Sequence, residues 1–223
     1  MEKTITKSHL GIVVMLGSVW GLSEAALGMG LRTCASLVSG SLMTGVALFF
    51  IAASCVVSGH VLGAALLVII ASLFKMFDAI LLSLPIQHGA IANPIFAFFM
   101  EGLVFIVIVT IVKETLKQKK AGQAIMGGGS ALVAVGLFPL VKFATGIPAC
   151  VYPGTGIPLS IYFAPFAIAL SIFTVPFGFW AGEKLKATAA EFEMTSQRKT
   201  LRHLVSPATL VLCLAIVVFI RLV

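Results

Sequence analysis

The chain has 223 residues, 60% of them hydrophobic and only 10% charged, with a mean hydropathy of +1.13. A soluble domain carries about 25% charged residues, so this composition excludes an ordinary soluble fold and implies an integral membrane protein. The formal net charge of +7 is read as basic cytoplasmic loops and not as a nucleic-acid surface.

Seven apolar segments follow one another, each near the ~20 residues that span a bilayer. They run roughly over 10–31, 37–58, 61–84, 91–112, 124–146, 160–182 and 205–221. Their runs of Leu, Ile, Val, Ala and Phe are continuous, which excludes the alternating pattern of a β-barrel. The length suits one compact all-α bundle, a single transmembrane helical domain over 1–223. The first segment superficially resembles a signal peptide, but it lacks a small-residue cleavage site and continues past Trp20, so it is expected to be retained. In it, Gly17, Gly21 and Ala25 recur at four-residue spacing, the pattern that lets two helix backbones approach closely. That face serves either packing inside the bundle or another subunit. The fifth segment opens on Gly127-Gly128-Gly129-Ser130, which is no phosphate loop: no Lys-Ser/Thr follows and no strand precedes it. The stretch 182–204 is the one long loop, expected as a helical extension of the sixth span plus a surface piece. The seventh span, after Pro207, reads as an anchor.

Lys and Arg set the expected orientation. With the N-terminus inside, Lys3, Lys7, Lys113, Lys117, Lys119, Lys120, Lys184, Lys186, Arg198, Lys199 and Arg202 are cytoplasmic, and only Arg32 and Arg221 are outside. This reading makes the chain a multi-pass protein of the cell (inner) membrane with its C-terminus outside.

A charge at bilayer depth costs on the order of 2.5 kcal/mol or more, so each one there needs a task or a partner. Lys75–Glu101 is the richest stretch, holding Lys75, Asp78, Gln87, His88, Asn93 and Glu101. Lys75 and Asp78 share a helix face at i, i+3 and can pair. Glu24 and Glu101 have no charged neighbour in sequence, and Lys142 is a candidate partner from another helix. With the expected topology, all five intramembrane charges (Glu24, Lys75, Asp78, Glu101 and Lys142) lie between the midplane and the outer surface. A cavity is therefore expected in the outer half, lined by the first, third, fourth and fifth spans. The Pro- and Gly-rich connections around 85–94 and 146–158 would roof it, with His88, Asn93 and Tyr152 at its rim. Trp20, Tyr152, Tyr162, Phe163 and Phe166 fit either an interfacial aromatic belt or a cavity wall.

His88 has no companion ligands in an HxxxH or CxxC arrangement, so no metal is expected, and no cofactor either. Cys34 and Cys150 both fall in outer connections and form a disulfide if they come close enough. Cys55 and Cys213 are expected to be small apolar packers. GxSxG, HExxH and Walker A motifs are all absent, so nothing supports a particular reaction.

Two features together resemble the substrate-binding (S) component of energy-coupling factor vitamin transporters. One is the small-residue face on the first helix. The other is IANPIFAFFMEG, a Pro-started helix carrying a buried acid beneath short outer loops. The family commonly has six spans and an Ala-x-x-x-Ala pair, where this chain has seven and a Gly17/Gly21/Ala25 face. The resemblance implies capture of a small nutrient at the outer face. A transmembrane coupling subunit and ATPases would then be the energising partners, docking near Gly17, Gly21 and Ala25. Other classes are a proton- or cation-coupled secondary transporter, an assembly subunit of a membrane complex, and an intramembrane thiol enzyme using Cys34 and Cys150.

Overall fold

The computed structural model describes residues 7–30, 37–194 and 199–222. The helices are α1 (Lys7–Gly30), α2 (Leu37–Ser58), α3 (Val61–Leu81), α4 (Gly89–Ile111), the short α5 (Glu114–Lys117), α6 (Lys120–Leu137), the short α7 (Val141–Thr145), α8 (Leu159–Met194) and α9 (Lys199–Leu222). Among the described residues there is no strand, only an isolated bridge between Val151 and Pro158. Seven stretches are long and apolar enough to cross a membrane, and they coincide with the seven predicted segments to within a few residues at most ends.

Local chemistry sets the helix ends. Leu82 closes α3, and Ser83 follows with a left-handed φ of 52° before Pro85. His88 caps α4, its Nδ1 accepting the Ala90 N–H at 3.2 Å. At the end of α6, Pro139 sits in a 3-10 turn over Phe138–Leu140 that leads into α7, and Gly146 stops α7 with φ 76°. Helix α8 runs 36 residues, about 54 Å at 1.5 Å per residue, and so carries the expected extension beyond the sixth span.

Helix α2 is the hub, touching α1, α3, α4, α6 and α8, with its closest partner α8. Glycines make that pairing intimate: a Cβ on Gly178 would stand 2.5 Å from the Phe49 carbonyl oxygen. Gly127 does the same between α6 and α8, where a Cβ would meet the Ser171 carbonyl at 2.2 Å, so the glycine run is a packing device.

The face of α1 is likewise internal. A Cβ on Gly17 would press on Ile70 at 2.8 Å, and one on Gly21 would stand 2.4 Å from the Phe74 ring. Ala25 joins a cluster with Ile70, Phe74, Cys213 and Val217. Gly17, Gly21 and Ala25 thus seat α3 and α9 of the same chain, the internal packing that the sequence left open beside a subunit interface.

Outside this core, large apolar side chains point away from the protein. Ile69, Leu73, Met76 and Ile80 form such a stripe on α3, and Phe99, Leu103, Val107 and Ile111 form one on α4. A soluble monomer seldom exposes apolar surface this extensive.

Candidate functional site

A cavity of about 850 Å³ opens at the end of the bundle where the 82–88 and 146–158 connections lie. It collects the late parts of α1, α3, α6 and α9 and the early parts of α2, α4 and α8. Successive crossing helices run antiparallel, so these parts all come to the same end. The lining is broader than expected, because α2, α8 and α9 join the four predicted helices.

Of the predicted site residues, Glu24, Lys75, Asp78, His88, Asn93 and Glu101 line this cavity together. Lys142 does not reach it: it is exposed on α7, while its neighbour Val141 is fully buried. The cause is the turn at Pro139. A 3-10 turn advances about 120° per residue against 100° in an α-helix, so three residues of it rotate the following face by about 60°. Tyr152 also stands apart, 37% exposed and stacked on Tyr162 at a centroid distance of 4.3 Å. Phe163 is in the wall, and Trp20 is wholly buried behind it, packed on Phe98 at 4.9 Å.

The charged groups form two sets. Asp78, 1% exposed, is the centre of the first. Lys75 Nζ approaches its Oδ2 at 3.3 Å from one turn away. Arg221 grips the same carboxylate with both prongs of its guanidinium: Nη2 donates to Oδ2 at 2.7 Å, and Nε donates to Oδ1. Arg221 Nη2 also donates to the Ala25 carbonyl at 3.3 Å, tying α9 to α1 as well as to α3. Planar two-point pairing of this kind is the strongest form of charge-assisted hydrogen bond.

Sequence reasoning counted Arg221 only among the outer-side basic residues, and the structure adds it to the site. The side chain is 4% exposed and belongs to the cavity. The available signal was position: Arg221 ends the last span at the level of the other charges, so it reaches a buried acid as readily as the solvent.

Glu24 and Glu101 are the second set. Glu24, 2% exposed, accepts one long hydrogen bond from Trp20 Nε1 at 3.4 Å to Oε1, and its Oε2 has no partner among the described residues. Glu101 lines the same cavity from α4, with Thr44 of α2 in the wall; it and Glu24 are near enough to act on each other electrostatically, and Lys75 acts on Glu24 in the same way. Asn93 Oδ1 and Ser160 Oγ, also at the cavity, are buried without a hydrogen-bond partner among the described residues. Buried polar atoms are normally paired, so a cluster of open ones around a cavity marks a place for a polar guest or ordered water.

Cys150 lines the cavity and is disulfide-bonded, whereas Cys55 and Cys213 are free thiols. Cys34, its expected partner, lies outside the described residues. Among the described residues, no three His, Cys, Asp or Glu side chains are grouped as metal ligands.

What the fold and site define is a helical bundle with seven helices long and apolar enough to cross a membrane, enclosing an acid-rich cavity at one end. No protein-family model matches the chain, and neither a curated protein nor a solved structure matches it.

Proposed function

We propose that this is a multi-pass membrane protein that binds a small nutrient, such as a vitamin or cofactor precursor, in this cavity and hands it inward. In this reading the bundle sits in the cell membrane with its N-terminus cytoplasmic, as the distribution of Lys and Arg suggests, so the cavity opens outward. The observation that carries the reading is the convergence at one cavity of buried polar atoms with no partner: Glu24 Oε2, Asn93 Oδ1 and Ser160 Oγ. Its volume falls within the several-hundred-Å³ range of small-molecule sites. Energy would come from a transmembrane coupling subunit with ATPases, as in the transporters the sequence resembles. Such a subunit would dock elsewhere than on Gly17, Gly21 and Ala25.

The test is to purify the protein from its native membrane and analyse by mass spectrometry what it releases on denaturation. A stoichiometric small molecule whose binding weakens in Glu101→Gln supports the reading. Its absence, with unchanged uptake by cells carrying Glu101→Gln, refutes it.

A second reading has one observation in its favour. Glu24 and Glu101 line one cavity with no cation at ion-pair distance among the described residues, an arrangement that also suits a proton or cation relay in a secondary transporter. Uptake that collapses with the proton or sodium gradient, and not with ATP depletion, would favour it.

A further inference from the structure

The charges around the cavity are unequally shared. Asp78 holds both cations: Lys75 Nζ at 3.3 Å, and Arg221 through a two-pronged pair. Among the described residues, Glu24 and Glu101 have no cation at ion-pair distance. They nevertheless stand on α1 and α4 around one space, each about nineteen-twentieths or more buried. Two carboxylates facing an apolar cavity repel each other, and each leaves acceptor sites that water or a donor must fill. A positively charged N–H donor between them relieves the repulsion and satisfies the oxygens at once.

The rest of the wall narrows the chemistry. Asn93 Oδ1 and Ser160 Oγ offer further acceptors in the wall, and Ile91, Phe98, Phe138 and Phe163 supply apolar and aromatic surface. An inorganic ion would leave most of the roughly 850 Å³ unused. It would also find no third acidic, His or Cys ligand grouped with these two among the described residues.

We propose that the ligand is an organic cation, a protonated amine or amidinium on an apolar, flat body, with its charged nitrogen seated between Glu24 and Glu101. This rests on the reading of the cavity as a small-molecule site and names the class of molecule. Three acids (Glu24, Asp78 and Glu101) against two bases (Lys75 and Arg221) leave the wall with an excess of negative charge, which disfavours carboxylates and phosphates.

The test uses the full chain in nanodiscs and a matched set on one ring: tryptamine (cation), N-acetyltryptamine (neutral) and indole-3-propionate (anion), measured by calorimetry. Tryptamine should bind about tenfold or more tighter than the other two. It should lose roughly 10- to 100-fold in Glu24→Gln and in Glu101→Gln, the range of one charged hydrogen bond. Lys142→Ala, on the exposed face of α7, should leave it unchanged. Neutral or anionic probes binding as well as tryptamine would overturn the cation assignment and leave the binding reading standing. Tryptamine binding equally to wild type and both variants would do the same. If no probe binds, the molecule released from the purified protein decides. A cation upholds the proposal, a neutral or anionic molecule overturns it, and no released molecule overturns both the proposal and the reading beneath it.

Discussion

Asp78 and the Glu24–Glu101 pair line the same cavity, yet the fold completes one and leaves the other open. Asp78 has a cation from its own helix and a second from α9, the last helix in the chain, and both of its oxygens are used. Among the described residues, Glu24 has one long indole contact and a bare oxygen, and Glu101, in the same cavity, has no cation at ion-pair distance. The difference separates two uses of a buried charge. A charge the fold neutralises holds helices together, here α1, α3 and α9. A charge left open at a cavity costs free energy until something else arrives, and this is how a binding site differs from a structural ion pair.

The largest effect should come from breaking the completed set. Asp78→Ala strands Lys75 and Arg221 in a buried position, which should cost about 3–5 kcal/mol; unfolding of the purified protein in detergent measures it. The double variant Asp78→Asn/Arg221→Gln leaves Lys75 as the one unpaired charge of the three and should recover part of that loss. An Asp78→Ala protein as stable as wild type would mean that the clamp is not structural.

Next comes the packing on which the clamp relies. Gly21→Leu forces a side chain into the Phe74 ring and should destabilise by about 1–3 kcal/mol as an overpacked core. The same thermal unfolding reads it, and Phe74→Ala in the Gly21→Leu background should restore part of the stability. If Gly21→Leu leaves stability intact but abolishes uptake, the α1 face serves a partner after all.

The open set should behave in the opposite way. Glu101→Gln keeps shape and hydrogen-bonding groups while removing an uncompensated charge, so unfolding should shift by no more than about 0.5 kcal/mol or move toward greater stability. A loss approaching that of Asp78→Ala would show that Glu101 is a structural charge and would erase the contrast. The smallest effect belongs to Lys142→Ala, exposed on α7, which should stay within about 0.5 kcal/mol.

Much of this architecture was legible in the chain because long apolar runs obey a one-dimensional rule. Continuous apolar runs of about 20 residues leave no alternative to helices, so seven segments, their approximate ends and the long helix beyond the sixth span followed from composition alone. Once the helices alternate in direction, position along each one translates into height. Glu24, Lys75, Asp78, His88, Asn93 and Glu101 could therefore be grouped at one end before any contact was known.

Height says nothing about azimuth, and that is where tertiary structure decided the outcome. Lys142 lies at the right level, but the 3-10 turn at Pro139 rotates it outward. Gly17 and Gly21 have the spacing of a docking face, but which helix fills it depends on how α3 packs, and Phe74 and Ile70 take the place. Arg221 is 143 residues from Asp78 in sequence. Their pairing depends on α9 settling beside α1, and no local pattern encodes that. The hydrophobic period and the depth of a charge are properties of single helices, read in order along the chain. Which charges end up satisfied is a property of how the helices sit around one another, and only the assembled bundle determines it.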